Sequence, residues 1–236
     1  MLLPLAPAHI VPYITAYAEE GLLPAPLTYR LGRPGVAYED ETPYDRDGFG
    51  ALWVRPQLRP EHRLRTPRLQ EIHPYRQRRV MLNGLCQVCT RPAADRDGAT
   101  LYLMRHTGGP ITSGEQTSSP PVCVPCAALS VQLCGALQQR RWVAAWVGSA
   151  PAWGVAGLVH DPATLRPLPG RALEMVSYHS PAVAWTTASR TVVELHDVEP
   201  ADLEAEWEAF GAERLEEEFA RVAGRRATQE ARPPRR

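Results

Sequence analysis

LCQVC at residues 85–89 and VCVPC at residues 122–126 are the two stretches that decide this fold. Each holds two cysteines separated by two residues, the spacing at which a tight turn brings two thiolates to one metal ion. Two such pairs complete a tetrahedral shell of sulfur atoms. We therefore predict one structural zinc site, for which iron and a disulfide are the alternatives. Its four ligands are Cys86, Cys89, Cys123 and Cys126.

The segment between the two pairs indicates the type of module. The 33 residues between Cys89 and Cys123 exceed a compact zinc ribbon and leave room for a hairpin and a loop. A turn, a hairpin and a cysteine pair that opens a helix follow the order of a treble-clef finger. Cys126 then lies in the first helical turn, where the helix dipole favours thiolate charge. Cys134 lies about 12 Å further along that helix, so we predict a buried core thiol there.

The acidic and basic residues of the whole chain balance, so its net charge favours neither nucleic acid nor a membrane surface as a partner. The chain has 26 acidic and 26 basic residues, and every basic residue is arginine. An odd number of cysteines, five, and a start that lacks a positively charged signal region favour metal binding in the cytoplasm over disulfides. Residues 142–159 carry no charge, but the Gly-Ser-Ala-Pro sequence in their middle predicts two strands with a turn. We expect no membrane span.

Periodicity and turn signals predict an α+β protein in four parts. These are a loop-rich region (1–70), the four-cysteine zinc module (71–140), a small antiparallel sheet closed by an amphipathic helix (141–224) and a disordered tail (225–236). Helices are expected at 8–20, at 74–83 with Gly84 as the stop, from 123 to about 139, and at 203–222 with Gly224 as a cap. Strands are expected near 51–54, 101–103, 141–147, 153–160, 173–178, 182–187 and 190–195.

The tetrad Asp-Arg-Asp-Gly occurs at residues 45–48 and again at 95–98, each time ahead of an expected strand. Aspartate followed by glycine suits the left-handed geometry of a tight turn. A calcium loop is the competing interpretation, but its register would put Pro43 at the first ligand position and Val54 at the last. We therefore predict a turn.

A basic segment precedes the first cysteine pair. Residues 46–79 contain nine arginines against three acids. Guanidinium groups this close repel each other unless an anionic partner or acidic residues of the fold neutralise them. One interpretation is a surface for nucleic acid or another partner, and the other is ion pairing with the acidic C-terminal helix. The arginines of this predicted surface are Arg76, Arg78, Arg79 and Arg91, and the acids are Glu213, Glu216, Glu217 and Glu218.

Residues 76–134 resemble the HNH endonuclease family in layout. An arginine-rich helix is followed by LCQVC, a strand ending in LMRHTGGP, and VCVPCAALS. The family places its catalytic histidine at the end of the first hairpin strand, which implies that role for His106. The acidic residue that usually precedes it is Arg105 here, and the helix after Cys126 has no histidine or asparagine for a catalytic metal ion.

HPYRQRRVMLNGLCQVC and PVCVPCAALSVQLCGAL look like segments of uncharacterised actinobacterial, Streptomyces-like zinc-binding proteins, over about residues 38–146. That resemblance implies a metal site and no activity. No phosphate-loop or dinucleotide glycine motif is present. The sequence therefore favours a non-catalytic, zinc-stabilised protein that binds a macromolecule, either a protein or DNA or RNA. The alternative is a metal-dependent, HNH-like endonuclease around His106.

Overall fold

The computed structural model describes residues 3–60, 63–94, 97–139, 141–170 and 173–230. Over these ranges the chain is an α+β protein, as predicted. Its helices are α1 (Pro74–Leu82), α2 (Val124–Leu133), α3 (Leu203–Phe210) and α4 (Ala212–Glu230). Its strands are β1 (Thr15–Tyr17), β2 (Leu27–Tyr29), β3 (Val36–Tyr38), β4 (Leu52–Trp53), β5 (Pro67–Ile72), β6 (Thr100–Arg105), β7 (Gln116–Thr117), β8 (Trp142–Ser149), β9 (Ala152–Val159), β10 (Glu174–Ser177), β11 (Thr186–Glu194) and β12 (His196–Pro200).

The strands form two larger sheets and two short ribbons. The largest sheet has the order β10-β9-β11-β4, with β7 also paired to β11, and only β4 runs parallel to its neighbour. A three-stranded sheet has the order β12-β8-β6, and β1 pairs with β5 and β2 with β3. The chain passes between the larger sheets twice at one corner, after β8 and after β11. Gly148 lies at this corner, where a Cβ atom would stand 2.9 Å from the Cβ of Asp197.

The largest apolar cluster surrounds the cysteines. It joins β6, α2, α3 and α4 through side chains that are almost fully buried, because each of these elements turns one apolar face inward. Its largest members are Leu101, Leu129, Leu203, Trp207, Leu215 and Phe219. A second cluster joins β6 and β8 to the end of β11, through residues such as Tyr102, Val147 and Leu195. The metal module therefore shares its core with the C-terminal helices.

One buried amide fixes α1 to the largest sheet. The side chain of Gln77 is fully buried; it accepts a hydrogen bond from the backbone N–H of Thr191 (2.9 Å) and donates one to the carbonyl of the same residue (3.0 Å). This pair of bonds imitates the pairing of a further strand on β11. The predicted start of α1 at Pro74 is confirmed, and the helix ends at Leu82, one residue before the predicted end. Gly84 follows with a φ of +58°, which glycine tolerates.

Between the cysteine pairs, the predicted hairpin is reduced to one isolated antiparallel bridge, between Ala94 and Thr100. β6 pairs along its whole length with β8, and β7 pairs with β11 instead of β6. The helix predicted at 8–20 is wrong, because that segment is extended and its β1 pairs with β5. The helix predicted to reach residue 139 ends at Leu133. The strand predicted at 182–187 is mostly a 3₁₀ turn, Pro181–Trp185, which the Ser180 side chain caps.

The single C-terminal helix that the apolar stripe predicted is two helices. Gly211 separates α3 from α4 with a φ of +88°, and its N–H donates to the carbonyl of Trp207 (3.0 Å) and so caps α3. The predicted end at Gly224 is wrong, because α4 continues to Glu230. That helix includes the start of the predicted disordered tail, and residues 231–236 lie outside the described residues.

Candidate metal centre

The first cysteine pair lies on a tight turn after α1. Thr90 stands in the left-handed region with a φ of +62° and donates its backbone N–H to the carbonyl of Cys86 (2.9 Å). The N–H of Cys86 in turn donates to the carbonyl of Arg91 (2.7 Å), and the N–H of Val88 points to the Cys86 sulfur (3.4 Å). These bonds direct both cysteine side chains to one side of the turn.

The second pair lies at the start of α2, as predicted. Cys123 is the residue that precedes the helix, Pro125 occupies the first turn, and Cys126 follows it. Proline suits this position because the first N–H groups of a helix have no partner inside it. The positive end of the helix dipole therefore lies against the thiol groups.

The structure brings the four sulfur atoms together. Their Sγ atoms all lie within 4.8 Å of one another, and three of the four cysteines are buried. The Sγ atoms of Cys89 and Cys123 are 3.7 Å apart. Tetrahedral bonds of about 2.3 Å from zinc to sulfur require sulfur atoms about 3.8 Å apart, whereas a disulfide requires about 2.05 Å. None of these four cysteines forms a disulfide, and together they can hold a metal ion.

The four thiols titrate as a coupled group. The hydrogen bond with the Cys123 thiol is the largest of the effects that lower the pKa of Cys89. The same kind of bond with Cys123 raises the pKa of Cys126. One thiolate is thus stabilised by its neighbours' S–H groups, and a cation that replaces those protons would allow all four sulfurs to carry charge.

Helices α3 and α4 support the cluster from outside. The guanidinium of Arg221 is hydrogen-bonded to Glu218 (2.6 Å), and Glu218 and, to a smaller extent, the Cys89 thiol raise the pKa of Arg221. The indole N–H of Trp207 donates to the carbonyl of Val124 (3.2 Å), a backbone group of the first turn of α2. Such outer contacts orient the sulfur atoms and offset their negative charge. The sequence predicted neither role; the only signals were that Trp207 belongs to the apolar stripe of the C-terminal helices and that Arg221 lies beside it.

The arginine surface predicted from the sequence is wrong for Arg76. This side chain is buried and its guanidinium pairs with the buried carboxylate of Glu20, donates to the carbonyl of Thr15 (2.6 Å) and lies over the Tyr17 ring. Strand β1, which precedes α1 in the chain, covers this face of the helix. The position of Arg76 on the helix did not by itself indicate that contact. Arg76 is therefore part of the interior.

The other three arginines also have partners within the chain. Arg78 lies 4.3 Å above the Trp53 ring, and Arg79 donates to the hydroxyl of Tyr13 (2.9 Å). Arg91 is exposed and forms an ion pair with Glu218 of α4 (2.8 Å), as the interpretation through the acidic helix predicted.

His106 lies directly after β6 and is exposed. Its backbone N–H donates to the carbonyl of Arg141 (2.9 Å), which continues the pairing with β8. Among the described residues, one group of three or more potential metal-binding side chains is present, the four-cysteine cluster. His106 is not a member of that group. Cys134 is not part of the cluster, but the prediction that it is buried is wrong, because α2 ends before it and leaves it exposed.

Residues 142–159 form the two strands β8 and β9. Among the described helices, none combines the length and the apolar character that a bilayer span requires. No protein-family model, curated protein or solved structure significantly matches this chain. The two resemblances noted in the sequence therefore remain expectations from motif layout, and the geometry of the described residues carries the functional argument.

Proposed function

We propose that this chain is a non-catalytic binding protein whose fold is held by one structural Zn²⁺ at Cys86, Cys89, Cys123 and Cys126. The observation that carries the proposal is the set of four Sγ atoms within 4.8 Å of one another. Four thiolates complete the coordination that zinc prefers, which leaves no open position for a substrate. When bound, the ion would supply cross-linking of the turn to α2 and no chemistry. Iron is the alternative metal for the same ligands.

A treble-clef-like description of this module is part of the proposal. It is supported by the first pair on a tight turn and the second pair in the first turn of a helix. The module departs from that type because β6 pairs with β8, a strand that follows the helix. The three-stranded sheet takes the place of the hairpin expected between the cysteine pairs.

The partner that we propose is a protein. The arginines expected to contact nucleic acid are largely committed inside the chain, and phosphate binding depends on free, clustered cations. Elsewhere on the surface, Leu22, Leu23 and Leu58 are 59%, 45% and 57% exposed. The two segments that carry them run alongside each other, because the N–H of Leu23 donates to the carbonyl of Arg55 (2.8 Å) and that of Gln57 to the carbonyl of Gly21 (2.7 Å). We call these three residues the leucine patch; exposed apolar residues grouped on neighbouring segments are typical of protein interfaces.

The first experiment tests the metal and separates binder from nuclease. We expect about one zinc per purified chain by elemental analysis, no cleavage of DNA or RNA with Mg²⁺ or Mn²⁺, and no salt-dependent shift in an electrophoretic assay. Cleavage that is lost in His106→Ala would replace this proposal with the endonuclease. A shift that weakens steeply with salt would identify nucleic acid as the partner.

The second experiment tests the leucine patch. Cross-linking in cells should join the wild-type protein to a partner, and the double change Leu22→Ser with Leu58→Ser should abolish that product. Leu31→Ser is the matched control, because Leu31 is 97% exposed on the turn between β2 and β3. Equal loss of the product in the control, or no loss in the double variant, would contradict a role for the patch.

A further inference from the structure

A cleft opens at one end of the largest sheet, outside the metal centre. It lies where β9 begins and where β10 and β11 end, and its volume is about 270 Å³. Its walls include the rings of Phe49, Trp153 and Tyr178 and the carboxylate of Glu194. This volume is at the lower limit of small-molecule sites, so the cleft suits one chemical group better than a large cofactor.

The aromatic wall is rigid. Phe49 and Tyr178 are stacked, with ring centroids 4.1 Å apart and planes inclined by 17°. One oxygen of Asp47 accepts the hydroxyl of Tyr178 (2.9 Å) and the indole N–H of Trp53 (3.0 Å). Its other oxygen accepts the backbone N–H groups of Phe49 and Ala51, both at 3.0 Å. The predicted turn is thus shifted from residues 45–48 to 47–50, and Gly50 instead of Gly48 has the left-handed φ (+88°). Its Asp47 holds the side chains of Tyr178 and Trp53 in place.

This rigid wall nevertheless leaves a large aromatic side chain in solvent. Phe49 is 62% exposed although its backbone and its stacking partner are both fixed. An exposed ring held in one position is already organised to receive a ligand, because no side-chain freedom must be lost on binding. Burial of Tyr178, and next the charge of Asp47, raise the pKa of Tyr178, so the phenol stays neutral and keeps its bond to Asp47.

The negative charge of the cleft favours a cationic ligand. Of the residues that line it, Glu194 is the only carboxylate and none is an arginine. Glu194 accepts a hydrogen bond from Gln116 (2.9 Å) and lies 3.2 Å from the ring of His196, and its side chain remains 27% exposed. Aromatic faces carry negative charge density and attract cations, most strongly where solvent is partly excluded. A hard metal ion is a poor fit, because it requires several oxygen ligands.

We propose that this cleft binds an organic cation, a guanidinium or a methylated ammonium group, between its aromatic walls with Glu194 as the counter-charge. The proposal does not depend on the metal ion or on the leucine patch. The cation can belong to a free small molecule or to a side chain of a bound protein. Both sources present the same group to the cleft.

Titration of the zinc-loaded protein with simple probes tests this site. L-argininamide and choline represent the two cations, and 3,3-dimethylbutanol is the neutral molecule in which carbon replaces the quaternary nitrogen of choline. The indole signal of Trp153, assigned by its loss in Trp153→Phe, should shift with a dissociation constant on the order of 1 mM for at least one cation. The neutral alcohol should bind at least about fivefold more weakly. No saturable shift with either cation, or equal binding of the alcohol, would overturn the proposal.

Two variants and one control locate the binding. Phe49→Ala and Glu194→Gln should each weaken cation binding at least about fivefold, while Glu194→Gln should leave binding of the alcohol unchanged. Tyr44→Ala is the matched control, because Tyr44 is 93% exposed and does not line the cleft. Zinc content and melting temperature report the fold of each variant separately from binding. Unaltered cation affinity in both Phe49→Ala and Glu194→Gln would contradict the assignment, and the ratio of the two cations' affinities identifies which group is bound.

Discussion

Around the cysteines, α2, α3, α4 and β6 pack apolar faces against one another, whereas the described residues between 13 and 79 are mostly in short strands and loops that arginine–carboxylate pairs join. Arg55 holds Asp45 through two bonds of 2.7 Å, and Arg46 holds Glu41 in the same way. Both arginine side chains are mostly buried. Paired bonds of this kind need the planar guanidinium group, which lysine lacks.

The two regions are stabilised by different interactions because their secondary structure differs. A loop-rich segment cannot satisfy its backbone groups by helix or sheet bonding, so side chains must do so. Arg46 illustrates this, because it also donates to the carbonyls of Val36 (2.7 Å) and Gly50 (2.9 Å). In the metal region the elements are regular, and a metal ion at the four cysteines would cross-link them where they meet. The mostly buried arginines Arg46, Arg55 and Arg76 are therefore structural.

The largest expected effect comes from breaking the metal region. Structural zinc sites contribute on the order of 10 kcal/mol to folding, so Cys123→Ser should give insoluble or protease-sensitive protein. Cys134→Ser should leave zinc content and melting temperature unchanged, because Cys134 is exposed and outside the cluster. Solubility, zinc analysis and limited proteolysis measure the difference. A Cys123→Ser protein as stable as the Cys134→Ser control would show that the metal is not what holds this region.

The second effect comes from the N-terminal region. Arg76→Met leaves Glu20 buried without its partner, and breaking a buried ion pair in this way costs about 3–5 kcal/mol. Denaturant unfolding should show that loss with zinc content unchanged, and Glu20→Gln added to Arg76→Met should restore part of it. Arg79→Met is the control, since Arg79 is exposed. A loss below about 1 kcal/mol for Arg76→Met would mean that the pair does not stabilise this region.

What the sequence could predict follows the same division. The cysteine spacing acts within a few residues, so local reasoning found both pairs and the position of Cys126 in α2. The burial of Arg76 depends on Glu20, 56 residues away, and helical periodicity carries no information about that contact. Likewise, the apolar face of β6 suits pairing either within a local hairpin or with a distant strand. The sequence of β6 does not indicate that its partner is β8, which follows α2 in the chain. Gly211 was visible, but the apolar stripe continues across it and concealed the break.

Acid should weaken the N-terminal region through Asp45. Hydrogen bonds from Arg55, more than any other cause, lower the pKa of Asp45 from 3.8 to about 2. A carboxyl group with a lowered folded-state pKa stabilises the fold above its unfolded pKa and loses that contribution as pH falls. The wild type should therefore lose about 1–2 kcal/mol more than Asp45→Asn between about pH 4 and pH 2.

Urea unfolding of the two proteins at several pH values within that window measures this difference. Asp40→Asn is the control, because Asp40 contacts the same Arg55 but its side chain is 72% exposed. It should retain the pH dependence of the wild type. If Asp45→Asn keeps that dependence too, the acid sensitivity arises from other carboxylates.

The smallest expected effect tests whether ion pairs matter in the metal region at all. Arg91 and Glu218 connect the first cysteine turn to α4, but the Arg91 side chain is 57% exposed. Exposed pairs contribute about 0–1 kcal/mol, and salt screens them. A double-mutant cycle with Arg91→Ala and Glu218→Ala should therefore give a coupling free energy of about 0.5 kcal/mol that falls at high salt. The same cycle on Arg55 and Asp45, which are mostly buried, should give a larger coupling that salt changes less. If the Arg91–Glu218 coupling reached about 2 kcal/mol, the metal region would also depend on arginine–carboxylate pairs, and the contrast between the two regions would be lost.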